Sequence, residues 1–527
     1  MITTPGHRRG TPSGSSIQSF LNDLPNQSWM RFLRPVLPSF VANELFPDQR
    51  PKWRLHPTSY LDGLRGIAAI IVFICHYTEN NFRPLTRPYG PLPAAPGPDP
   101  PLDDPPPYGK DLSDSIIQLP FMRNIFSGRP MVHIFFVISG FALSYKPVQA
   151  LHARDTAKCY AALASSAFRR PFRLFAPCVA STFFIMCLRQ LGCLPGGRDH
   201  LIDELWRWKS ALFHQITWPW AWDRDLRPAY DVHLWTIPIE FAHSMLLFIA
   251  ILMLSRVRLR VRLAAELALV AYCLACGKWA GFEFLAGLFL AEVHILRATA
   301  KAKEWEGSEE AHRPRGSSAT TCTRGWALKA FQIGLIVLGL FIGGWPNRFA
   351  DRTPGIRYFV VLTPSPYATM DALAPQKFWF ALSAVATVWA VGDLAPLRRF
   401  FEGPLAQYCG RISYAVYICH GPVEELFKDW LLGHPPVPEV GELGAPDYQP
   451  ALPATGVKGL VGVESVTQLT IGWLLGLWLL GPLVIWAADL FWRGVDSQLV
   501  TLARKLELLC LDETEPSPRG QGYSAAA

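Results

Sequence analysis

The stretch SYLDGLRGIAAIIVFICHY, residues 59–77, decides how the rest of the chain is read. It is apolar enough to lie in lipid, yet it contains Arg65 and His76. An arginine at the centre of a membrane helix costs ~2.5–3.5 kcal/mol on insertion scales, so something must compensate. Eleven steps of 100° bring His76 to within ~20° of Arg65, with ~16 Å of rise between them. One helix face therefore offers a permanent cation near one membrane edge and a neutral, titratable base towards the other. Asp62, three residues before Arg65, is its expected partner. The plainer alternative has Arg65 reaching to lipid headgroups and His76 capping the far end.

Composition agrees with a membrane setting. Of 527 residues, 50% are hydrophobic and 17% charged, and 19 are Trp, which suits a membrane protein better than a soluble enzyme of this size. The net charge of +8 does not imply nucleic acid, because Lys and Arg cluster beside apolar runs. The 11 Cys show no disulfide framework. Cys273 and Cys276 form a lone CxxC in an apolar segment, without the second pair of a zinc site, so no metal ligands are expected. Residues 1–50 lack the apolar core of a cleavable signal, and the first span is expected to act as the targeting signal.

The hydropathy pattern predicts an all-α polytopic transmembrane helix bundle of about ten spans. Their cores lie near 61–78, 130–148, 172–192, 232–254, 262–277, 279–296, 326–345, 378–395, 404–427 and 468–491. The fifth and sixth are short for a spanning helix of ~20 residues and are expected to form a tight hairpin through Gly277 and Lys278. The basic stretches RPKWRL, RRPFR, SRVRLRVR, KAKEWEGSEEAHRPR and LRR all fall on one side. The positive-inside rule then places both termini in the cytosol. The expected organisation is a cytosolic, partly disordered arm at 1–56, a membrane domain at 57–495 and a cytosolic tail at 496–527. Within 17–46, either an interfacial helix pair with Trp29 and Phe32 at the lipid surface or a loosely packed arm fits. The extracytosolic loops are a Pro-rich segment within 79–129 and a Trp-rich segment at 193–231, readable as an aromatic belt or as a lid. A charged cytosolic loop covers 297–325. The chain is expected in an endomembrane or the plasma membrane.

Further ionisable residues fall inside the spans. VHLWTIPIEFAHSMLLF, residues 232–248, holds His233, Glu240 and His243. His233 and Glu240, seven apart, would share a helix face, and Pro238 would kink the helix beside the carboxylate. His76 and Glu240 fall within about two turns in depth, so Glu240 is the expected partner that orients His76 as a base. Two solvated groups in a wet vestibule are the blander reading. GRISYAVYICHGP, residues 410–422, sets Arg411, Tyr414, Tyr417 and His420 at three-residue steps, with Gly421-Pro422 expected to interrupt the helix. The Tyr hydroxyls could hold an acceptor or a developing oxyanion, or belong to an interfacial belt. Ser139-Gly140 in MVHIFFVISGFALSYKP, residues 131–147, reads as a close-packing site, with a nucleophilic Ser139 the sharper alternative. Intramembrane His and Glu also suit a proton-coupled membrane transporter. From the residues alone, enzyme and carrier stand near parity.

The stretches SYLDGLRGIAAIIVFICHY, HIFFVISGFALSY, RRPFRLFAP, VHLWTIPIEF and RISYAVYICHGP resemble, in order, the acyltransferase 3 family of polytopic membrane O-acyltransferases, especially its stand-alone fungal type. The Arg-x10-His spacing of the first helix is the most specific element. The resemblance implies an acyl-CoA co-substrate, usually acetyl-CoA, and O-acetylation of a hydroxyl-bearing acceptor such as a sugar, a sterol or a secondary metabolite. It carries the family's arginine and histidine to Arg65 and His76, its basic segment to Arg169, Arg170 and Arg173, and its acidic position to Glu240. The expected site therefore comprises His76, Glu240, Tyr414 and His420 for chemistry. Arg65, Arg169, Arg170 and Arg173 would hold the acyl-CoA, and Ser139, His233 and Tyr417 would line or pack the acceptor site.

Overall fold

A computed structural model of the chain describes residues 34–45, 55–90, 115–310, 319–347, 349–432, 461 and 465–511, with side chains of 301–325 left aside. It is all-helical among the described residues. Ten principal helices stand where spans were expected. They are α1 (Ser59–Asn81), α2 (Gly128–His152), α3 (Thr156–Gln190), α4 (Thr236–Leu254), α5 (Leu259–Ala275), α6 (Trp279–Glu310), α7 (Ala319–Gly343), α8 (Ala374–Asp393), α9 (Pro404–Leu432) and α10 (Val466–Phe491). A further helix, α11 (Ser497–Cys510), follows α10 through a π-helical turn at Trp492–Asp496.

The expected count of ten spans needs correction. Among the described residues, seven helices are long and apolar enough to cross a membrane, and eight if α8 and the short helix Ala395–Phe401, bent by 95° from it, form one span. α5 falls outside that set at 17 residues, with Arg260, Arg262 and Glu266 on it. α9 is 29 residues long, but Arg411, Glu424, Glu425, Lys428 and Asp429 dilute its hydropathy. The hairpin between α5 and α6 does form: Gly277 sits at φ +72°, a left-handed conformation that glycine adopts without steric cost. The expected loop at 297–325 is largely helix, since α6 runs to Glu310 and α7 starts at Ala319.

Two prolines act differently from expectation. Pro238 lies in the first turn of α4, where an amide has no helical partner in any case, so it costs no hydrogen bond and requires no kink. Pro422 lies inside α9, which continues to Leu432 without interruption.

The most extensive helix pair is α1 with α9. A Cβ on Gly66 would collide with the Gly410 amide, and one on Gly410 with the Asp62 carbonyl. Glycine at both positions therefore lets the two backbones touch. Without a hydrophobic driving force between helices in lipid, such contact and interhelical hydrogen bonds hold membrane bundles together. At the other end of the pair, Asn80 and Asn81 each donate to Glu424 Oε1 at 2.9 Å. α10 closes the group, with Tyr77 donating to the Trp473 carbonyl at 2.9 Å and the Trp473 indole donating to Thr78 Oγ1 at 2.8 Å. Gly140 of α2 meets the α6 backbone at Phe284, as the close-packing reading of Ser139-Gly140 expects. α6 is the most enclosed span, 72% buried, and α7 the most peripheral, 17% buried. Exposed Val337, Leu338 and Leu340 on α7 and Leu474 and Trp478 on α10 suit a lipid-facing surface.

The N-terminal helix Ser39–Leu45 packs on α10, where the Ser39 amide and hydroxyl donate to Asp489 at 3.1 and 2.5 Å. Trp29 and Phe32 lie outside the described residues. In the Trp-rich segment, Trp206, Trp218, Trp220 and Trp222 are exposed, while Trp208 packs inward, its indole donating to Thr182 at 3.2 Å.

Gly66→Leu and Gly410→Leu each force a side chain into backbone, and overpacking of this kind costs ~1–3 kcal/mol or more. Both variants are expected to lower the thermal midpoint and the monodisperse fraction in detergent. Gly334→Leu on α7, where a Cβ meets nothing within 4 Å, is expected to leave both unchanged. An unaltered midpoint for Gly66→Leu would mean that α1 and α9 do not approach this closely.

Candidate active site

Three imidazoles converge at the end of α1 remote from Arg65. The ring centroids of His76 and His233 are 4.3 Å apart, those of His233 and His420 4.5 Å, and those of His76 and His420 5.4 Å. His76 comes from the last turns of α1 and His420 from the middle of α9, a pairing fixed by the helix contact described above. His233 arrives from a 3-10 turn, Val232–Trp235, immediately before α4.

That turn explains why His233 parts from Glu240. Asp231 caps it by accepting from the His233 amide at 3.0 Å, and the same Oδ1 lies 2.7 Å from His233 Nδ1. Tyr417 donates to the His233 carbonyl and shares a 2.6 Å hydrogen bond with Thr236. His233 is thus clamped by its own backbone and does not sit on the α4 helix proper. A Cβ on Gly421 would lie 2.5 Å from His233 Nδ1, so glycine next to His420 leaves the room that His233 occupies.

Each ring turns its Nδ1 to an acceptor. His233 faces Asp231, His420 faces the Val416 carbonyl at 3.0 Å, and His76 faces Glu79 Oε2 at 3.6 Å. In His233 and His420 an acceptor at hydrogen-bond distance favours the proton on Nδ1 and the lone pair on Nε2. His420 Nε2 is fully buried and has no hydrogen-bond partner. His76 keeps 29% of its side chain exposed, so the cluster is reachable. Glu79 is itself held by Asn347 at 2.6 Å and lies 3.6 Å from Arg129.

Several expectations change here. The carboxylates beside the histidines are Glu79 and Asp231, and Glu240 is engaged elsewhere. Arg170 pairs with Glu240 at 2.6 Å and donates to Ser244 at 3.0 Å, while Ser139 donates to Glu240 at 2.9 Å. Glu240 lies seven residues on from His233, ~10.5 Å of rise along the helix, and its partner is Arg170 of α3. Ser139 therefore holds a carboxylate, and Arg170, buried and paired, is committed to it. The Tyr414 hydroxyl donates to the Leu174 carbonyl at 2.6 Å and lies 3.4 Å from Cys178, which ties α9 to α3 and spends the group expected to meet an oxyanion. Tyr417 is likewise spent on the His233 turn. His243 stands apart, with Nδ1 on the Ile239 carbonyl and Nε2 3.6 Å from Asp223. Glu79 was legible at i+3 from His76. Asp231, two residues before His233, has the spacing of a capping side chain.

The other end of α1 is basic. Arg65 pairs with Asp62 at 3.1 Å, as its spacing predicts. Arg65, Arg169 and Arg170 all stand near Arg173, with Asp496 of the π-helical turn facing Arg173 and Arg65. Arg169 also meets Glu507 of α11 at 3.1 Å. An anion-attracting cluster and an imidazole cluster thus occupy opposite ends of one helix, ~16 Å apart along its axis.

The described helices thus form a polytopic bundle with an imidazole cluster at one end of α1 and a group of arginines at the other. The family model described as an acyltransferase domain, Acyl_transf_3, matches residues 58–493, and the chain belongs to this family of acyltransferases. It is 30% identical over 436 residues to "O-acetyltransferase PaAT-1" of Phomopsis amygdali, covering 76% of this chain and 77% of that protein. It is 25% identical over 401 residues to "Acyltransferase clz18" of Cochliobolus lunatus and over 397 residues to "Acyltransferase R4" of a Phoma species, covering 69% of this chain and 82% of each relative. No solved structure matches it. The choice between carrier and enzyme is thereby made for a multi-pass membrane acyltransferase.

Asp231→Asn keeps the shape of the His233 turn and removes the charge that favours a protonated ring. Turnover is expected to fall by roughly 10²–10⁴, the usual weight of a positioned acid–base group. Gly421→Val, which displaces His233, should fall comparably. Asp225→Asn, whose described partner is exposed Arg227, should retain full turnover. Wild-type rates for Asp231→Asn would remove His233 from the chemistry.

Proposed function

We propose that this enzyme moves an acyl group, acetyl in the first instance, from acyl-CoA to a hydroxyl of a small molecule, carbohydrate or lipid. His76 serves as general base. The observation that supports this most is the convergence of three imidazoles whose Nδ1 sides are already taken by acceptors. At His76 and His233 a carboxylate stands behind the ring to stabilise the charge it acquires.

The steps follow from that geometry. Arg65, Arg169 and Arg173 hold the phosphates of CoA at the basic end, which the positive-inside rule assigns to the cytosol. The thioester arm extends along α1 towards His76. His76 Nε2 takes the acceptor hydroxyl proton as the oxygen attacks the thioester carbonyl carbon. Glu79, 3.6 Å from His76 Nδ1, stabilises the imidazolium. The new C–O bond forms, the C–S bond breaks, and the proton passes to the departing CoA thiolate. His233, backed by Asp231, and His420 complete the polar wall around the reacting carbonyl. Glu240 and Ser139 act at one remove, by fixing Arg170 beside the phosphate-binding arginines.

Purified protein with labelled acetyl-CoA and a hydroxyl acceptor tests this reading. His76→Ala is expected to lower label transfer and thiol release together by ~10²–10⁴. Arg173→Ala is expected to raise the KM for acetyl-CoA more than it lowers kcat. Undiminished transfer by His76→Ala would take His76 out of the reaction.

A further inference from the structure

The three imidazoles form more than a base. Their ligand atoms all lie within 4.8 Å of one another. A tetrahedral zinc ion with Zn–N bonds of ~2.0–2.1 Å needs nitrogen pairs about 3.4 Å apart, a small inward adjustment from that limit. Unprotonated ring nitrogens brought this close repel one another unless a cation lies between them. The fully buried His420 Nε2 has no hydrogen-bond partner, although a polar atom in such a place normally has one.

The surroundings of the rings match those of metal ligands. A ligating histidine typically donates its other ring N–H to a carboxylate or a backbone carbonyl. His233 has Asp231 at 2.7 Å, His420 has the Val416 carbonyl at 3.0 Å, and His76 has Glu79 at 3.6 Å. Three neutral imidazoles with a fourth side left open form a donor set for a borderline divalent ion, above all zinc. The partly exposed His76 edge provides the way in.

The geometry points to a zinc-class divalent cation site formed by His76, His233 and His420. Its functional consequence rests on the reading given above. A metal on His76 Nε2 occupies the lone pair that would accept the acceptor proton, so zinc loading and base catalysis exclude each other. Bound zinc is therefore a reversible inhibitor of acyl transfer.

The full chain, purified in detergent and stripped with chelator, is dialysed against Zn²⁺ and analysed for bound metal. Co²⁺ serves as the spectroscopic substitute through its visible absorption. One metal ion per chain is expected. Loss of the ligand should weaken binding by at least 100-fold in His420→Ala and His233→Gln, and loss of the backing carboxylate by ~10–100-fold in Asp231→Asn. Thermal midpoints of the stripped variants identify any that fail to fold. Cys273→Ser/Cys276→Ser should bind as the wild type does. Absence of stoichiometric metal, binding that survives both folded histidine variants, or binding that follows the cysteines would each overturn the site. Turnover separates the site from the catalytic reading. Stoichiometric metal that leaves acyl transfer untouched supports the site while overturning His76 as the base.

Discussion

The backbone contact between α1 and α9 is the constraint on which the site depends. Gly66 and Gly410 let the two helices touch without intervening side chains. Further along the pair, the two asparagine amides on Glu424 fix their rotation and axial register. Register matters because His76 and His420 sit just before those anchors on their helices. A slip of one turn, ~5.4 Å, is as large as the 5.4 Å between the His76 and His420 rings. Packing that serves stability thus also sets imidazole geometry.

The third imidazole arrives by a different physical route. His233 is placed by a capped 3-10 turn, with one carboxylate receiving both its amide and its ring nitrogen. Tyr417 of α9 then secures that turn from the partner helix. One long helix, α1, and one short turn therefore share α9 as their reference surface, which explains how residues so distant in the chain meet.

Among the described residues, two groups of ionisable side chains elsewhere pair with one another. Arg170, Glu240, Ser139 and Ser244 form one such group. Arg262, Glu292 and His152 form another, with Arg262 and His152 each 2.6 Å from Glu292. Pairing of this kind offsets the cost of removing ions from water. It also marks these residues as scaffolding. The separation of arginines from histidines along α1 keeps the anion-binding function away from the bases, which a neighbouring guanidinium would hold in their unprotonated form.

The membrane bundle, the pairing of Asp62 with Arg65, the hairpin at Gly277 and the close packing at Gly140 were legible because hydropathy, helical period and glycine act locally. The placement of Glu240, Tyr414 and Tyr417 was not, because a period fixes which residues share a face but not which neighbour that face meets. His233 was misread for a related reason: the capped turn before α4 changes the period from 3.6 to 3.0 over four residues, and rotates it off the helix. By itself the sequence determined the helices, their lipid compatibility and the family to which the chain belongs. Only the tertiary structure decided that three histidines from separate segments face one another, since their convergence comes from helix rotation and register, which no spacing along the chain encodes.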